Sequence, residues 1–149
     1  MKVETLHRGA VTRQTSGRLV IETRGPGFTD ITDAVARWAG ESGLHQGVLT
    51  AFCRHTSASL TIQENADPDV RADLANALDR LAPRGAGYRH GMEGADDMPA
   101  HIRTILTDVA VPIPVLDGRL ALGTWQGLYL VEHRDRPHRR EVVLHVMGA

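Results

Sequence analysis

His55, His90 and His101 stand beside acidic and amide side chains in the middle third of this chain, and imidazoles so placed could share one divalent metal ion. The surrounding segments read Arg54-His55-Thr56-Ser57-Ala58-Ser59, Gln63-Glu64-Asn65-Ala66-Asp67-Pro68-Asp69, Tyr88-Arg89-His90 and Asp96-Asp97-Met98-Pro99-Ala100-His101-Ile102-Arg103. Neutral imidazole binds zinc and similar ions at about 2.0–2.1 Å, and catalytic sites commonly use three protein ligands while leaving one position open. The expected ligands are His55 from a strand end, His90 from a loop and His101 from a helix. No pair has the His-x-x-x-His spacing of a helical zinc motif, so the fold itself must bring the rings together. The competing reading is that these are three of eight histidines, packed or exposed without a shared role.

Other polar residues could serve the same chemistry. Asp67 and Asp69 have a structural explanation as helix cap and dipole partner, whereas Glu64 and Asn65 lie before that cap and could orient a metal-bound water or a substrate. Thr56, Ser57 and Ser59, with the guanidinium fork of Arg103, could hold phosphate oxygens. On the strand from Thr124 to Glu132, Gln126 and Glu132 share a face but are on the order of 20 Å apart at roughly 3.3 Å per residue. Both cannot serve one compact pocket in one subunit, so if both are functional one reaches a neighbouring chain. Arg134, Arg136, Arg139 and Arg140 read as a solvated turn.

The elements that must position these residues are legible in outline. Leu19–Thr23 reads as a strand ending at Gly25-Pro26-Gly27, and Thr29 or Asp30 caps a helix with Ile31, Val35 and Trp38 on its inner stripe. Gly47 to His55 is a strand, and Ser57 to Gln63 alternates, with Ala58, Leu60 and Ile62 facing a core and the hydroxyl face wet or functional. Asp67-Pro68-Asp69 starts a second helix carrying Val70, Leu74, Ala77, Leu78 and Leu81. Arg89 to Asp97 should be a loop, followed by a short helix from about Pro99 with Ile102, Ile105 and Leu106 inward. Val109–Val115 and Arg119–Leu122 flank a hairpin turn at Asp117-Gly118, and strands over Thr124–Glu132 and Glu141–Met147 complete the chain. Strands at both ends with helices between, and no regular strand-helix-strand alternation, predict one α+β domain on a mostly antiparallel sheet.

Composition limits the partners. Seventeen basic and eighteen acidic residues give a net charge of -1 with no long block of either sign, which argues against nucleic acid, as does 4% aromatic content. No apolar stretch approaches the roughly 20 residues that span a bilayer, and no secretory signal is read at the start, so the expected compartment is the cytoplasm. The one cysteine, Cys53, permits no intrachain disulfide and no CxxC motif, and its flanks predict a small buried residue.

Four segments together resemble the YjbQ-like family, also described as the secondary thiamine-phosphate synthase family. They are His55 to Val70 (HTSASLTIQENADPDV), Tyr88-Arg89-His90, Asp96 to Arg103 (DDMPAHIR) and Asp117 to Gly127 (DGRLALGTWQG). The resemblance implies an α+β subunit, a homotrimer, and a histidine-rich metal or anion site near the subunit boundary. His55, His90 and His101 match its histidine positions, and Glu64, Asn65, Asp67 and Gln126 its polar ones. Many members carry Gly-Asn-x-Asp or Gly-Asn-Gly before the helical histidine, whereas this chain has Gly94-Ala95-Asp96-Asp97-Met98-Pro99. The expected function is a metal-assisted reaction, zinc first among the cations, on a small phosphorylated metabolite. The named candidate joins a pyrimidine methyl diphosphate to a thiazole phosphate with release of diphosphate. A metal-dependent phosphate-ester hydrolase and a non-catalytic metal- or metabolite-binding trimer are the alternatives.

Overall fold

Apolar residues at every second position build two antiparallel sheets that share one core. In a computed structural model describing all 149 residues, the order is β1 (Arg13–Thr23), β2 (Gly27–Asp30), α1 (Thr32–Glu41), β3 (Gly47–Cys53), β4 (Ala58–Glu64), α2 (Pro68–Leu81), α3 (Asp97–Leu106), β5 (Ala110–Leu116), β6 (Arg119–Leu120), β7 (Gln126–Glu132) and β8 (His138–Gly148). One sheet has the order β1-β8-β3-β5-β6 and the other β2-β7-β4. Alternate residues Leu49, Ala51 and Cys53 of β3, Val111, Ile113 and Val115 of β5, and Val142, Leu144 and Val146 of β8 enter the core. They meet Ala58, Leu60, Leu128 and Leu130 of the smaller sheet and Val35 and Ala39 of α1 in one cluster. This is the α+β domain the strand pattern predicts, and no helix is long and apolar enough to cross a membrane.

Several boundaries differ from the sequence reading for local reasons. Gly27–Asp30 is a strand, because it pairs with Tyr129–Glu132 of β7; Asp30 still serves the helix start, its Oδ1 accepting from Thr32 N at 2.9 Å and Thr32 Oγ1 at 2.6 Å. Asp67 caps α2 as expected, accepting from Asp69 N at 2.9 Å with Pro68 in the first turn. The Asp-Gly turn is also as expected, with φ of 49° at Asp117 and 75° at Gly118.

The third helix departs most. It begins at Asp97, and its buried residues are Asp97, Pro99, Ala100 and Arg103, whereas Ile105 is 81% exposed. The inward face of α3 therefore sets two charged residues, Asp97 and Arg103, beside Pro99 and Ala100. Likewise Ser59, expected on a wet or functional face, is fully buried, its Oγ hydrogen-bonded to His133 Nε2 at 2.8 Å and to Thr107 Oγ1 at 2.6 Å. Arg140, read as part of a solvated turn, is buried against Glu132, and Arg134 is also drawn inward.

Candidate metal centre

Asp97 and His101 are four residues apart on α3, so their side chains stand on one face, one turn apart. The buried Asp97 carboxylate divides its two oxygens between opposite neighbours. Oδ1 takes the Arg134 Nη1 hydrogen bond, while Oδ2 lies 2.6 Å from His90 Nε2 and 3.3 Å from His101 Nε2. The two imidazoles have centroids 5.6 Å apart and planes tilted by 52°. One ligand atom from each of His90, Asp97 and His101 lies within 4.8 Å of the others.

His90 reaches the helix from the preceding loop, and Arg134 holds that loop as well as the carboxylate. Its Nη2 donates to Glu93 O at 2.8 Å and its Nε to Asp96 Oδ2 at 2.9 Å. Burial alone would raise the Asp96 carboxyl, but hydrogen bonds from the Asp135 backbone and Arg134 outweigh it and hold it below the usual range. Arg134 is placed in turn by Glu132, whose Oε1 accepts the backbone N–H groups of His133 and Arg134 at 3.0 Å each. Burial would raise Glu132 too, yet bonds from Arg140, the Arg134 backbone and Thr23 keep it ionised.

Proton bookkeeping at His101 defines the chemistry of the cluster. Its Nδ1 lies 2.9 Å from the Thr56 carbonyl oxygen, which only accepts, so Nδ1 carries a hydrogen. In the neutral ring Nε2 then presents a lone pair to Asp97 Oδ2, another acceptor, at 3.3 Å. Two acceptors at that separation call for a cation between or beside them, either a proton or a metal. A tetrahedral ion with bonds near 2.0–2.1 Å sets its ligand atoms about 3.3 Å apart, the observed His101–Asp97 separation. The closer His90–Asp97 pair would open by less than about an ångström. The carbonyl behind His101 and the guanidinium behind Asp97 are the outer partners that fix metal ligands in orientation. The residues present fit a divalent ion with a site left open.

His55 is outside this group. Its Nε2 accepts from Glu141 N at 2.8 Å, which places its ring hydrogen on Nδ1, and burial and then Arg140 hold its pKa below the ordinary value. Of the three expected imidazoles, two thus meet within one chain, together with the Asp97 carboxylate. Asp97 has a sequence signal in the Asp-x-x-x-His spacing, distinct from any His-x-x-x-His pair; Arg134, 37 residues beyond Asp97, has none.

The other expected residues divide by place. Thr56 contributes its carbonyl to His101, and Ser57 Oγ accepts from Arg140 Nη2 at 3.1 Å. Ser59 is buried behind α3, and Arg103 donates to Asp79 Oδ1 at 2.7 Å, so neither joins Thr56 and Ser57 around a phosphate. Glu64 and Gln126 are register partners at one end of the β4–β7 ladder, with Asn65 N bonded to Trp125 O and Asp67 capping α2 beyond. Ala58, next to the segment that touches His101, pairs with Glu132 at the opposite end. Six residues of strand put the two ends on the order of 20 Å apart. Gln126 Oε1 meanwhile accepts from Gly123 N at 2.8 Å in its own turn.

A family model described as UPF0047 protein YjbQ-like matches residues 18–149. The chain belongs to the YjbQ-like UPF0047 family. It is 53% identical over 140 residues to UPF0047 protein sll1880 of Synechocystis, covering 93% of this chain and 95% of that protein. Salmonella typhimurium YjbQ is 44% identical over 123 residues, covering 82% and 89% of the two chains. Among solved structures, an uncharacterized conserved YjbQ/UPF0047 protein of Clostridium acetobutylicum superposes with a TM-score of 0.81 at 39% identity, covering 87% of this chain and 98% of its own. A hypothetical protein of Aeropyrum pernix gives 0.83 at 30% identity, with coverage of 91% and 99%. The fold is therefore that of the family.

Proposed function

We propose that His90, Asp97 and His101 hold a divalent cation, zinc first among the candidates, in a metal-assisted enzyme acting on a small phosphorylated metabolite. The observation that carries this reading is the 3.3 Å approach of His101 Nε2 to Asp97 Oδ2 with both groups fixed from behind. A bound cation would supply an open coordination position and positive charge to neutralise a phosphate or diphosphate oxygen. The chain's own part is to keep that position dry on one side, through the buried Asp97, and to orient both rings.

Within this reading the named candidate is the thiamine-phosphate synthase type of reaction. The bond from the pyrimidine methylene to diphosphate breaks, diphosphate leaves with its electron pair, and the thiazole nitrogen bonds to that carbon. Glu64, Asn65, Asp67 and Gln126 would act on a neighbouring chain's centre in a homotrimer, since about 20 Å of strand separates them from their own. Exposed apolar side chains support an assembled state: Phe52 and Val109 border the groove that holds His55, and Trp125 adjoins Gln126.

The test is an assay of purified protein with both substrates, and separately with a panel of phosphate esters, with and without added zinc. Diphosphate release that requires both substrates, depends on metal and disappears in Asp97→Asn and His101→Ala supports the transferase. Ester hydrolysis without an acceptor replaces it with the hydrolase. Zinc-independent turnover, or turnover intact in Asp97→Asn, refutes the metal reading.

A further inference from the structure

Every sheet edge but one is short or already engaged. β2 has 4 residues and β6 has 2, and the free side of β4 is bridged where Leu60 and Asp108 exchange main-chain hydrogen bonds at 2.6 and 2.9 Å. β1 is the exception: it runs for 11 residues at the end of the larger sheet, with β8 on one side and no strand on the other.

Unpaired N–H and C=O groups along such an edge recruit another strand, and proteins blunt them with proline, lysine, a bulge or a covering segment. β1 carries none of the first three. Arg13 to Thr23 contains neither proline nor lysine, and its register with β8 runs unbroken from Arg13↔Gly148 to Thr23↔His138. Residues 1–12 do not cover it either. They are exposed throughout, and their main-chain bond, Thr12 N to Gly148 O at 2.8 Å, goes to the β8 side.

The side chains of β1 decide which strand fits. Arg18, Val20 and Glu22 are exposed on the outer face, while Leu19 and Ile21 face the core. Let two copies of β1 run antiparallel with Val20 opposite Val20 of the second copy. Arg18 then falls opposite Glu22, Glu22 opposite Arg18, and on the inner face Leu19 meets Ile21, so like polarity and opposite charge are matched at each pair. Neighbouring registers that keep the two faces in step do worse. Centring on Leu19 sets Glu22 against Ser16, centring on Arg18 sets that residue against itself, and centring on Ile21 sets Glu22 against Val20. Within the chain the two charges are only loosely held, Arg18 at 3.4 Å from Glu141 and Glu22 at 3.8 Å from Arg139.

We infer that the free edge of β1 is a docking surface for β1 of a second copy of this chain, joined about a twofold axis at Val20 so that the two larger sheets become continuous. The contact is independent of the proposed catalysis and joins two single chains or two trimers equally well. Being one strand wide, it belongs with the weak interfaces and dissociates on dilution.

Val20→Cys places two thiols across the axis with Cα atoms about 4.5–5.5 Å apart, a separation that a disulfide spans. Glu22→Cys places them about 13 Å apart and is the control. The native Cys53 is buried. Copper-catalysed air oxidation of each full-length variant should give covalent dimer roughly tenfold faster from Val20→Cys than from Glu22→Cys. Sedimentation of the natural chain across micromolar concentrations should show its mass doubling; Arg18→Glu should suppress the doubling and the added Glu22→Arg restore it. Equal cross-linking at the two positions, a mass that never doubles, or doubling unaffected by Arg18→Glu would each overturn the inference. All three positions are exposed, and the sedimentation of the natural chain depends on no variant.

Discussion

One buried carboxylate organises the candidate metal centre, and its two oxygens have different duties. Arg134 engages Asp97 Oδ1, leaving Oδ2 for His90 and His101. Arg134→Ala should therefore weaken zinc binding by about 10- to 100-fold, the usual cost of losing an outer partner, without removing any ligand. Competition with a chromogenic chelator would measure it, and an unchanged affinity would show that Arg134 is merely structural. His133 provides a separate prediction on stability. Its folded pKa of about 4 lies below the ordinary value near 6.5, so the unfolded chain takes up a proton first as pH falls. The stability tied to the neutral ring is fully present above pH 6.5 and is lost as pH drops toward 4, by up to roughly 3 kcal/mol. Urea unfolding between those limits should show this slope in the natural chain and a shallower one in His133→Asn. Arg103 and Arg140 next to the ring push in the same direction as burial, and Glu132 opposes them.

At the scale of elements, the strands and the inner face of α1, with Ile31 and Val35 in the core and Trp38 packed against it, are legible in the sequence, whereas the face of α3 is not. The strands over Gly47–His55, Val109–Val115 and Glu141–Met147 are where the sequence places them, and burial alternates along β3, β5 and β8 because a strand's period is fixed at two. The cap Asp67 was legible for a similarly local reason, and Asp67→Ala should cost about 1 kcal/mol, read as a lower thermal midpoint with α2 the first part to lose helicity. The face of α3 differs from the expected one because Ile105 and Leu106 stand exposed, while the helix packs inward through Ala100 and its neighbours. Its buried face instead carries Asp97 and Arg103, whose partners Arg134 and Asp79 come from distant segments. Long-range ion pairs leave no periodic trace. Nor does the meeting of β3 with β8: a Cβ on Gly47 would lie 2.1 Å from the Met147 carbonyl oxygen. Gly47→Ala must therefore push two paired strands apart, and we expect several kcal/mol of destabilisation, on the scale of a severe core defect. Denaturant unfolding measures this, and a change within 0.5 kcal/mol would mean that the strands separate freely.

For the molecule as a whole, the distribution of candidate residues is informative. His90, Asp97 and His101 gather at one end of the β4–β7 ladder, and Glu64 and Gln126 at the other. If both sets serve one reaction, two inactive variants should rescue each other: mixing His101→Ala with Glu64→Ala chains under reversible dissociation should restore part of the activity through mixed trimers. Activity remaining at zero would confine each set to its own chain. The histidines and the family resemblance are legible in the sequence, but the meeting of Asp97 rather than His55 with His90 and His101 depends on long-range packing and on which ring nitrogen the backbone claims. The most direct test is anomalous scattering at the zinc edge from crystals grown with one equivalent of zinc per chain. One strong peak is expected at about 2.0–2.2 Å from His90 Nε2, His101 Nε2 and Asp97 Oδ2. No peak there, with zinc bound instead at His55 or at surface histidines, would contradict it.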